Sequence, residues 1–547
     1  MLTSVFLATV GNIALWKQWQ VLPELAGMSG FFLALGTAVV IASLTALALA
    51  VFAWRSFIKP VLLLFVLAAA AGLYFMLSYN VVIDKTMMLN VLLTDKREVI
   101  DLLNVRMVVT LLVLGIVPGI WLWRQPVRKL TWLQTFTSHT ILFVLSFALG
   151  AGALFAMYRD FSSLMRNHTQ LRYLINPLNS FYALGRIAAT PFEMQAGPLI
   201  PVAQDAHWNP RHLRQTNMPG APANTTTKAP LVVLVVGETA RAANFSLNGY
   251  TRPTNPMLQA LPVISQQAVS SCGTSTATSL PCMFSSLGKE GFESRKQNYE
   301  NMLDVMQHAD VQVRWIDNQP GGCKGVCDRV PTISTAASTL APFCKEGECL
   351  DEVMLQAMDE ALTAKNAIDP QKPTLVVMHQ MGSHGPAYFK RSPADAKPFQ
   401  PECQSNTLQD CDSAQIVNAY DNSLVYTDRF LAQTIAWLNQ RAQTGQPTAL
   451  VYVSDHGESL GENNLYLHGL PYSIAPDVQK QVPWISWSSP SFLKDEAINS
   501  DCLRQQQSRP ISHDYLFHSM LNLLDVENSA YRPELDLYAA CRKTPNS

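Results

Sequence analysis

The first 271 residues of this 547-residue chain lack cysteine, and all ten cysteines lie from residue 272 onward. An even number of cysteines confined to one region predicts disulfides, so we do not expect that region in a reducing compartment. Short spacings predict four pairs, and the two remaining cysteines form the fifth: Cys272 with Cys282, Cys323 with Cys327, Cys344 with Cys349, Cys403 with Cys411 and Cys502 with Cys541. For Cys323 and Cys327 zinc binding is the alternative, but an outward-facing domain favours a disulfide.

The chain also lacks an excess of charge of either sign. Its formal net charge is −1 at pH 7, and no basic cluster stands out along it. Nucleic-acid binding proteins carry such clusters, so we expect no nucleic-acid partner.

Long apolar runs dominate the first third of the chain. Most approach the roughly 20 residues that span a bilayer, which predicts five membrane helices. The first run is the weakest: no basic residue precedes it, the true start could lie upstream, and a cleaved signal peptide is the alternative reading. The five runs cover residues 2–16, 31–54, 60–77, 107–123 and 141–158.

Basic residues between the runs predict the orientation of the helices. Arg55 and Lys59 follow the second run, and Arg124, Arg128 and Lys129 follow the fourth. Loops rich in Lys and Arg stay in the cytoplasm. Alternation then places loop 79–106 and everything after residue 158 on the outer side, in agreement with the cysteines.

Three regions follow from this pattern. Residues 1–158 are the predicted transmembrane domain, 159–230 an interfacial helix and linker, and 231–547 a soluble outer domain. The stretch 161–190 mixes apolar residues with three arginines, which suits a helix at the membrane surface or an ordinary packing helix. The stretch 209–230 is rich in Pro, Asn, Thr and Ala, as linkers are.

The soluble region alternates strand-like and helical patterns, which predicts a mainly parallel α/β sheet. The predicted helices cover 350–364 and 423–441. The predicted strands cover 231–236, 311–316, 374–378, 448–453 and 482–487.

Possible metal ligands follow three of these strands. Glu238 follows the first, His379 with nearby His384 the third, and Asp455 with His456 the fourth. Sites in parallel sheets lie at the carboxyl ends of strands, and carboxylates with imidazoles suit a borderline cation such as Zn²⁺. For Asp455 and His456 alone, a helix-capping Asp beside a solvated His is the alternative.

A hydroxyl-rich segment, residues 271–279, lies between the first and third predicted strands. One of its alcohols could serve as a nucleophile, if a base or a metal lowers the pKa of the hydroxyl. A Ser/Thr-rich helix N-terminus is the alternative, and spacing alone does not choose among the hydroxyls.

Four motifs together resemble one family: Val236-Gly-Glu-Thr-Ala-Arg, Ser271-Cys-Gly-Thr-Ser-Thr-Ala, His379-Gln-Met-Gly-Ser-His-Gly-Pro and Ser454-Asp-His-Gly-Glu-Ser-Leu-Gly-Glu. They resemble the phosphoethanolamine transferases of Gram-negative inner membranes, especially those that modify lipid A, which include the mobile colistin-resistance enzymes. The resemblance runs nearly end to end. It implies an α-helical five-span membrane domain and a periplasmic α/β/α domain of alkaline phosphatase and sulfatase type. The first run is shorter than is usual in that family.

The resemblance also implies roles for single residues. Glu238, Thr276, Asp455 and His456 match the zinc ligands, and Thr276 matches the nucleophile. His384 and His468 match histidines that bind phosphate or a second zinc ion, although a structural turn histidine is the alternative for His468. Lys324 matches a substrate-contacting residue, for which a solvated lysine is the alternative.

The outer loop contributes three more candidates. Asn90, Thr94 and Glu98 recur every four residues and are expected to line one face of a helix. The matching family positions help to hold the substrate head group, and the Glu98 carboxylate could receive an ethanolamine ammonium. Solvated helix polar residues are the alternative.

The implied function is transfer of phosphoethanolamine from phosphatidylethanolamine to lipid A phosphate through a phosphoethanolamine–threonine intermediate. It implies zinc as cofactor, polymyxin resistance and a monomer among membrane lipids. Alternatives left open are transfer to core oligosaccharide or periplasmic glucan, a membrane-anchored hydrolase, and a non-catalytic lipid-binding module.

Overall fold

A computed structural model describes residues 1–94, 96–189, 198–211, 228–335, 343–345, 348–364 and 368–542. These residues form two compact units. The N-terminal unit comprises Met1–Leu92, Leu102–Thr190 and Asn463–Tyr466, and the C-terminal unit comprises Leu93–Asp101, Pro191–Glu462 and Leu467–Ser547, in each case as far as the chain is described. The predicted linker 209–230 lies largely outside the described residues.

Four helices of the N-terminal unit are long and apolar enough to cross a membrane, among the residues described. They are Met28–Val51, Ile58–Ser78, Val105–Arg124 and Trp132–Ala156. They match the second to fifth predicted runs, because a continuous apolar helix satisfies its backbone hydrogen bonds internally in lipid. A single π-helical turn, Leu112–Ile116, interrupts the third.

The first predicted run is broken into shorter elements. Helices Leu2–Thr9 and Ile13–Val21 are joined by a 3₁₀ turn, Val10–Asn12. The Asn12 amide donates to the carbonyl oxygens of Leu7, at 2.8 Å, and Asn176, at 2.7 Å, so a polar side chain is anchored inside the apolar run. A fifth membrane span therefore stays a prediction.

The predicted interfacial segment consists of three short helices: Tyr158–Asn167, Thr169–Tyr173 and Leu178–Ala188. Leu164, Met165 and Leu171 are buried. Part of the segment therefore packs within the N-terminal unit, and its position at a membrane surface stays a prediction.

The prediction that Asn90, Thr94 and Glu98 share one helix is wrong. Asn90 lies in helix Lys85–Leu93 and Glu98 in a separate helix, Lys96–Leu102, with Thr94 outside both. A threonine side chain competes with the helical backbone for hydrogen bonds, which favours a break at Thr94.

A seven-stranded sheet forms the centre of the C-terminal unit. In chain order its strands are β1 (Leu231–Gly237), β2 (Ile264–Gln266), β3 (Gln312–Asp317), β4 (Thr332–Ser334), β5 (Thr374–His379), β6 (Thr448–Ser454) and β7 (Trp484–Ser488). The spatial order is β2-β7-β6-β1-β5-β3-β4. The pairs from β6 to β4 are parallel and β7 is antiparallel to both neighbours, which confirms the mainly parallel sheet.

Helices cover both faces of the sheet. Val232, Leu234 and Val236 of β1 share a core with apolar residues of helices Met302–His308 and Asp514–Leu523. Helix Ser413–Gln443 covers the other face, with the Thr448 hydroxyl donating to the Leu438 carbonyl at 3.1 Å. The remaining helices of six residues or more include Thr276–Met283, Gly288–Ser294, Glu352–Thr363, Pro490–Asp495 and Ser500–Gln505.

The sequence predictions differ from these elements in two ways. Helix Ser413–Gln443 begins well before the predicted residue 423, because Asp412 and Gln415 form a capping box that starts it earlier. Strands β2 and β4 were not predicted, because they have three residues each, too few to show a period of two.

Five disulfides join the ten cysteines in the predicted pairs. The Cys323–Cys327 disulfide is therefore found where a zinc–thiolate site was the alternative. All five lie in the C-terminal unit, whose cysteine content suggested an oxidising compartment.

Candidate active site

The carboxyl ends of β1 and β6 bring three acidic and basic residues together. The two strands are parallel neighbours, with Ser454 of β6 in register with Gly237 of β1. Glu238 directly follows β1 and Asp455 directly follows β6. The Asp455 amide donates to the Gly237 carbonyl at 2.9 Å. The sheet register thus places Glu238 and the Asp455–His456 pair side by side.

Thr276 is the first residue of helix Thr276–Met283 and points into this cluster. Its hydroxyl donates to the two Glu238 carboxylate oxygens, at 3.2 and 3.0 Å, and lies 3.4 Å from His456 Nε2. Of the described hydroxyls in segment 271–279, this one contacts the ligand side chains, whereas the Ser279 hydroxyl donates to the Asp455 backbone carbonyl at 2.5 Å.

The cluster has the composition of a cation site. One ligand atom each of Glu238, Asp455 and His456 lies within 4.8 Å of the others, and all three residues are fully buried. Asp455 Oδ2 is buried without a hydrogen bond from any described residue. Two buried carboxylates require positive charge nearby, which a divalent cation would supply.

The pKa values of His456 and Asp455 also indicate that the cluster needs positive charge. Burial acts to lower the pKa of His456, but Asp455 and Glu238 outweigh it and raise that pKa to about 10. Burial and the charge of Glu238 raise the pKa of Asp455. Both shifts reflect an excess of buried negative charge, which a bound cation would offset.

Two further histidines lie beside the cluster. The His468 ring centroid is 4.3 Å from that of His456 and 5.9 Å from that of His384. His468 Nδ1 lies 3.2 Å from Glu458 Oε2, which orients the ring. All the histidines that the family resemblance singled out therefore converge near the Thr276 hydroxyl.

Comparison with known proteins bears on this arrangement. The family model described as phosphoethanolamine transferase EptA/EptB matches residues 41–192, and the sulfatase model matches residues 230–526. The chain is 38% identical to the phosphoethanolamine transferase EptA of Escherichia coli K12 over 99% of this chain and 96% of that protein. This chain belongs to the EptA family of phosphoethanolamine transferases.

Two other relatives agree with this membership. Phosphatidylethanolamine transferase Mcr-1 of Escherichia coli is 35% identical over 96% of this chain and 94% of its own. The structure of the integral membrane lipooligosaccharide phosphoethanolamine transferase A of Neisseria meningitidis superposes with a TM-score of 0.91 at 34% identity, covering 99% of this chain and 98% of that one. The predicted family and the sulfatase-like fold of the C-terminal unit are confirmed.

In this EptA-type site a buried histidine that the sequence did not single out ties the nucleophile helix to the ligand strand. His513 Nδ1 accepts from the Cys272 amide at 3.1 Å and lies 3.3 Å from the Ser279 hydroxyl. Its Nε2 donates to the Ser454 carbonyl at 2.9 Å. Burial lowers the pKa of His513 to about 3, so the ring stays neutral and uses both nitrogens.

Gln319, which the sequence analysis did not single out, forms a hydrogen bond with Glu238. The Gln319 side chain donates to Glu238 Oε2 at 2.9 Å, and its own backbone amide donates to Asp317 Oδ1 at 2.9 Å. His379 is fully buried with Nδ1 3.1 Å from the same Asp317 oxygen. His379, a possible ligand by its position after a strand, therefore lies outside the Glu238–Asp455–His456 cluster.

A buried carboxylate also shapes the turn that carries His384. Asp351 accepts from the backbone amides of Met381, at 2.9 Å, and Gly382, at 3.0 Å. Gly382 has φ +52°, and a Cβ there would meet the Glu238 carbonyl oxygen at 2.8 Å. Only glycine fits this close approach, which holds the turn against the site.

Lys324, another predicted substrate residue, contacts a backbone carbonyl. Lys324 lies in the turn closed by Cys323 and Cys327, and its Nζ donates to the Leu93 carbonyl at 3.2 Å. The Glu98 side chain lies outside the described residues. For Asn90 and Thr94 the substrate-binding role stays a prediction.

Proposed function

We propose that this chain transfers phosphoethanolamine from phosphatidylethanolamine to a phosphate of lipid A through a covalent phosphoethanolamine–Thr276 intermediate. The observation that carries the proposal is the Thr276 hydroxyl, held 3.0 Å from Glu238 Oε2 beside buried Asp455 and His456. A single hydroxyl at the mouth of a cation site suits covalent catalysis better than simple lipid binding.

Zinc is the proposed cofactor, with Glu238, Thr276, Asp455 and His456 as its ligands. Asp455 Oδ2, which accepts no hydrogen bond from a described residue, and the mixture of carboxylate and imidazole donors fit this ion. When bound, zinc lowers the pKa of a coordinated hydroxyl and neutralises developing negative charge. A second ion at His384 and His468 is left open, since the same histidines could bind phosphate.

In the first step the Thr276 oxygen attacks phosphorus, and the bond from phosphorus to the diacylglycerol oxygen breaks. Glu238 orients the hydroxyl and is placed to take its proton, while the departing diacylglycerol oxygen gains one. The proposed role of His384 and His468 is to donate hydrogen bonds to phosphate oxygens. The product is phosphoethanolamine esterified to Thr276.

In the second step an oxygen of the lipid A phosphate attacks the same phosphorus. The bond from phosphorus to Thr276 breaks, and the threonine oxygen recovers a proton. Each modified phosphate then carries an amine, so the membrane surface attracts cationic peptides such as polymyxins less strongly. Resistance to these peptides is the expected consequence.

The acceptor rests on the motif resemblance and on the lipooligosaccharide named for the Neisseria meningitidis relative. The same chemistry would serve a core sugar or a periplasmic glucan. We further propose a monomeric inner-membrane protein whose C-terminal unit lies in the periplasm. The sulfatase match over residues 230–526 favours a hydrolase as the second candidate, with water as the acceptor.

The decisive experiment is mass spectrometry of lipid A from polymyxin-sensitive cells that express the chain or its Thr276→Ala variant. We expect phosphoethanolamine on lipid A with the first and none with the second, because the nucleophile is lost. Unchanged lipid A, with protein produced and zinc bound, would contradict the acceptor. Equal modification by both chains would contradict the nucleophile.

A further inference from the structure

A cavity of about 670 Å³ lies beside the nucleophile helix in the C-terminal unit. Ala277 and Pro281 of helix Thr276–Met283 form part of its wall, whereas the Thr276 hydroxyl faces Glu238. Arg295 and Lys324 line the cavity as well. The cavity therefore adjoins the reacting hydroxyl without including the cation cluster.

Arg295 brings a charge to this wall that no carboxylate balances among the residues described. Its guanidinium stacks on the Phe292 ring, 3.4 Å from the centroid, and one amino group donates to the Phe292 carbonyl at 2.6 Å. Burial lowers the pKa of Arg295, which marks the cost of removing its charge from water. A half-buried guanidinium with unused donors is suited to bind an anion.

Other charged groups around the cavity are matched differently. Arg329 forms a bidentate pair with Asp304, at 2.6 and 2.7 Å, and Glu300 lies 2.8 Å from His308 Nε2. Lys324, like Arg295, meets a neutral carbonyl within the described part of the chain. Asp328 is exposed at the edge of the cavity. Arg295 and Lys324, which pair with no carboxylate among the described residues, therefore line the same cavity as the nucleophile helix.

We propose that this cavity binds a phosphate group of a lipid substrate, with Arg295 as a specificity-determining residue and Lys324 as its second cation. The inference rests on the proposed function and extends it to a substrate subsite. A planar guanidinium can donate two parallel hydrogen bonds to phosphate oxygens, which an ammonium cannot. The one phosphate of phosphatidylethanolamine has to reach the Thr276 oxygen, which faces Glu238 and not the cavity. The phosphate bound in the cavity is therefore a non-reacting phosphate of the acceptor lipid A, and the two half-reactions test this assignment.

The test uses the full-length protein in detergent and the variants Arg295→Gln, Arg295→Lys and Lys296→Gln. Lys296 is an exposed neighbour outside the cavity, so its variant removes the same charge from the same surface. Formation of phosphoethanolamine–Thr276 is followed by intact mass against phosphatidylethanolamine concentration. Transfer from the loaded enzyme is followed against lipid A concentration.

For Arg295→Gln we expect KM for lipid A to rise about tenfold to a hundredfold, because a charge-assisted hydrogen bond is lost. KM for phosphatidylethanolamine should stay within twofold of the parent value. Arg295→Lys recovers part of the loss, and Lys296→Gln matches the parent chain.

Two results would overturn the inference. One is a KM for lipid A that stays within twofold of the parent value in Arg295→Gln. The other is an equal fall in the amount of loaded Thr276 in both Arg295 variants, which indicates damaged folding instead of lost recognition. Failure of the proposed function is recognised separately, because phosphoethanolamine would then not form on Thr276 in the parent chain.

Discussion

The two units bury apolar residues in opposite ways. In helix Trp132–Ala156 of the N-terminal unit only Ser146 is buried, and large apolar side chains point outward. In β1, β5 and β6 of the C-terminal unit every residue is buried. Hydrophobic residues of the same types therefore face lipid in one unit and form a protein core in the other, because one unit is surrounded by lipid and the other by water.

The membrane helices and the active site also differ in how they satisfy polar groups. The Thr140 hydroxyl donates to the Phe136 carbonyl four residues earlier in the same helix. The active site depends on contacts between residues far apart in sequence, such as Thr276 with Glu238 and His513 with Ser454. Disturbing the long-range contacts of the active site should therefore impair the C-terminal unit, whereas the N-terminal unit keeps its own, such as Asn12 with Asn176.

The largest expected effect comes from the disulfides, which lie only in the C-terminal unit. Replacing Cys502 and Cys541, 39 residues apart, by serine should lower the unfolding free energy by about 4 kcal/mol, because the longer loop restricts the unfolded chain more. Replacing Cys403 and Cys411, 8 residues apart, should cost about 2.5 kcal/mol. Hydrogen exchange measured by mass spectrometry reports each unit separately. An equal loss of protection in the N-terminal helices would contradict the expected difference between the two units.

A smaller effect is expected at His513. His513→Ala should slow formation of phosphoethanolamine–Thr276 about tenfold to a hundredfold. The reason is that the His513 ring no longer bridges Ser279 of the nucleophile helix and Ser454 of β6. His513→Gln should recover part of the rate, since its amide can still donate to the Ser454 carbonyl. Intact-mass kinetics at saturating donor gives both rate and final amount. A full amount at a reduced rate supports positioning, whereas a reduced amount at the parent rate indicates partial unfolding.

The smallest effect concerns pH and Asp428, which accepts from the Met257 and Leu258 amides. Burial raises the pKa of Asp428 to about 6 despite these bonds. A raised carboxyl pKa means that the folded chain binds more protons than the unfolded chain, so stability falls as pH rises from about 4 to about 6. The expected loss is about 2 kcal/mol. The unfolding temperature of Asp428→Asn relative to the parent chain should therefore rise over this interval, and a constant difference would contradict the shift.

Sequence patterns located the strands well where burial is continuous. Leu231–Gly237 and Thr448–Ser454 differ from their predicted bounds by one residue at the end, since each contains a continuous apolar run that is fully buried. They were less informative where a local group intervenes, as with Asn12 inside the first apolar run and Thr94 between two helices. There a single side-chain hydrogen bond or helix break overrides the average hydrophobicity of the segment.

Some residues of the candidate site could also be predicted from the sequence, and others could not. Glu238, Asp455 and His456 could be anticipated because each follows an apolar strand, and Thr276 because a family motif selects it among several hydroxyls. His513, Gln319 and Asp351 had no such signal. Each acts through a residue distant in sequence, and a histidine, a glutamine and an aspartate in ordinary surroundings have no pattern that separates them from surface residues.

The sequence by itself determined which segments are apolar enough for lipid or for a buried sheet, which cysteines pair, and which family supplies the chemistry. These properties depend on composition and on neighbours along the chain. The tertiary structure alone decided that the Thr276 hydroxyl meets Glu238, that His379 stands apart from the cation cluster, and that Arg295 shares a cavity wall with the nucleophile helix. Such juxtapositions depend on strand register and helix packing, which bring together residues separated by tens to hundreds of positions.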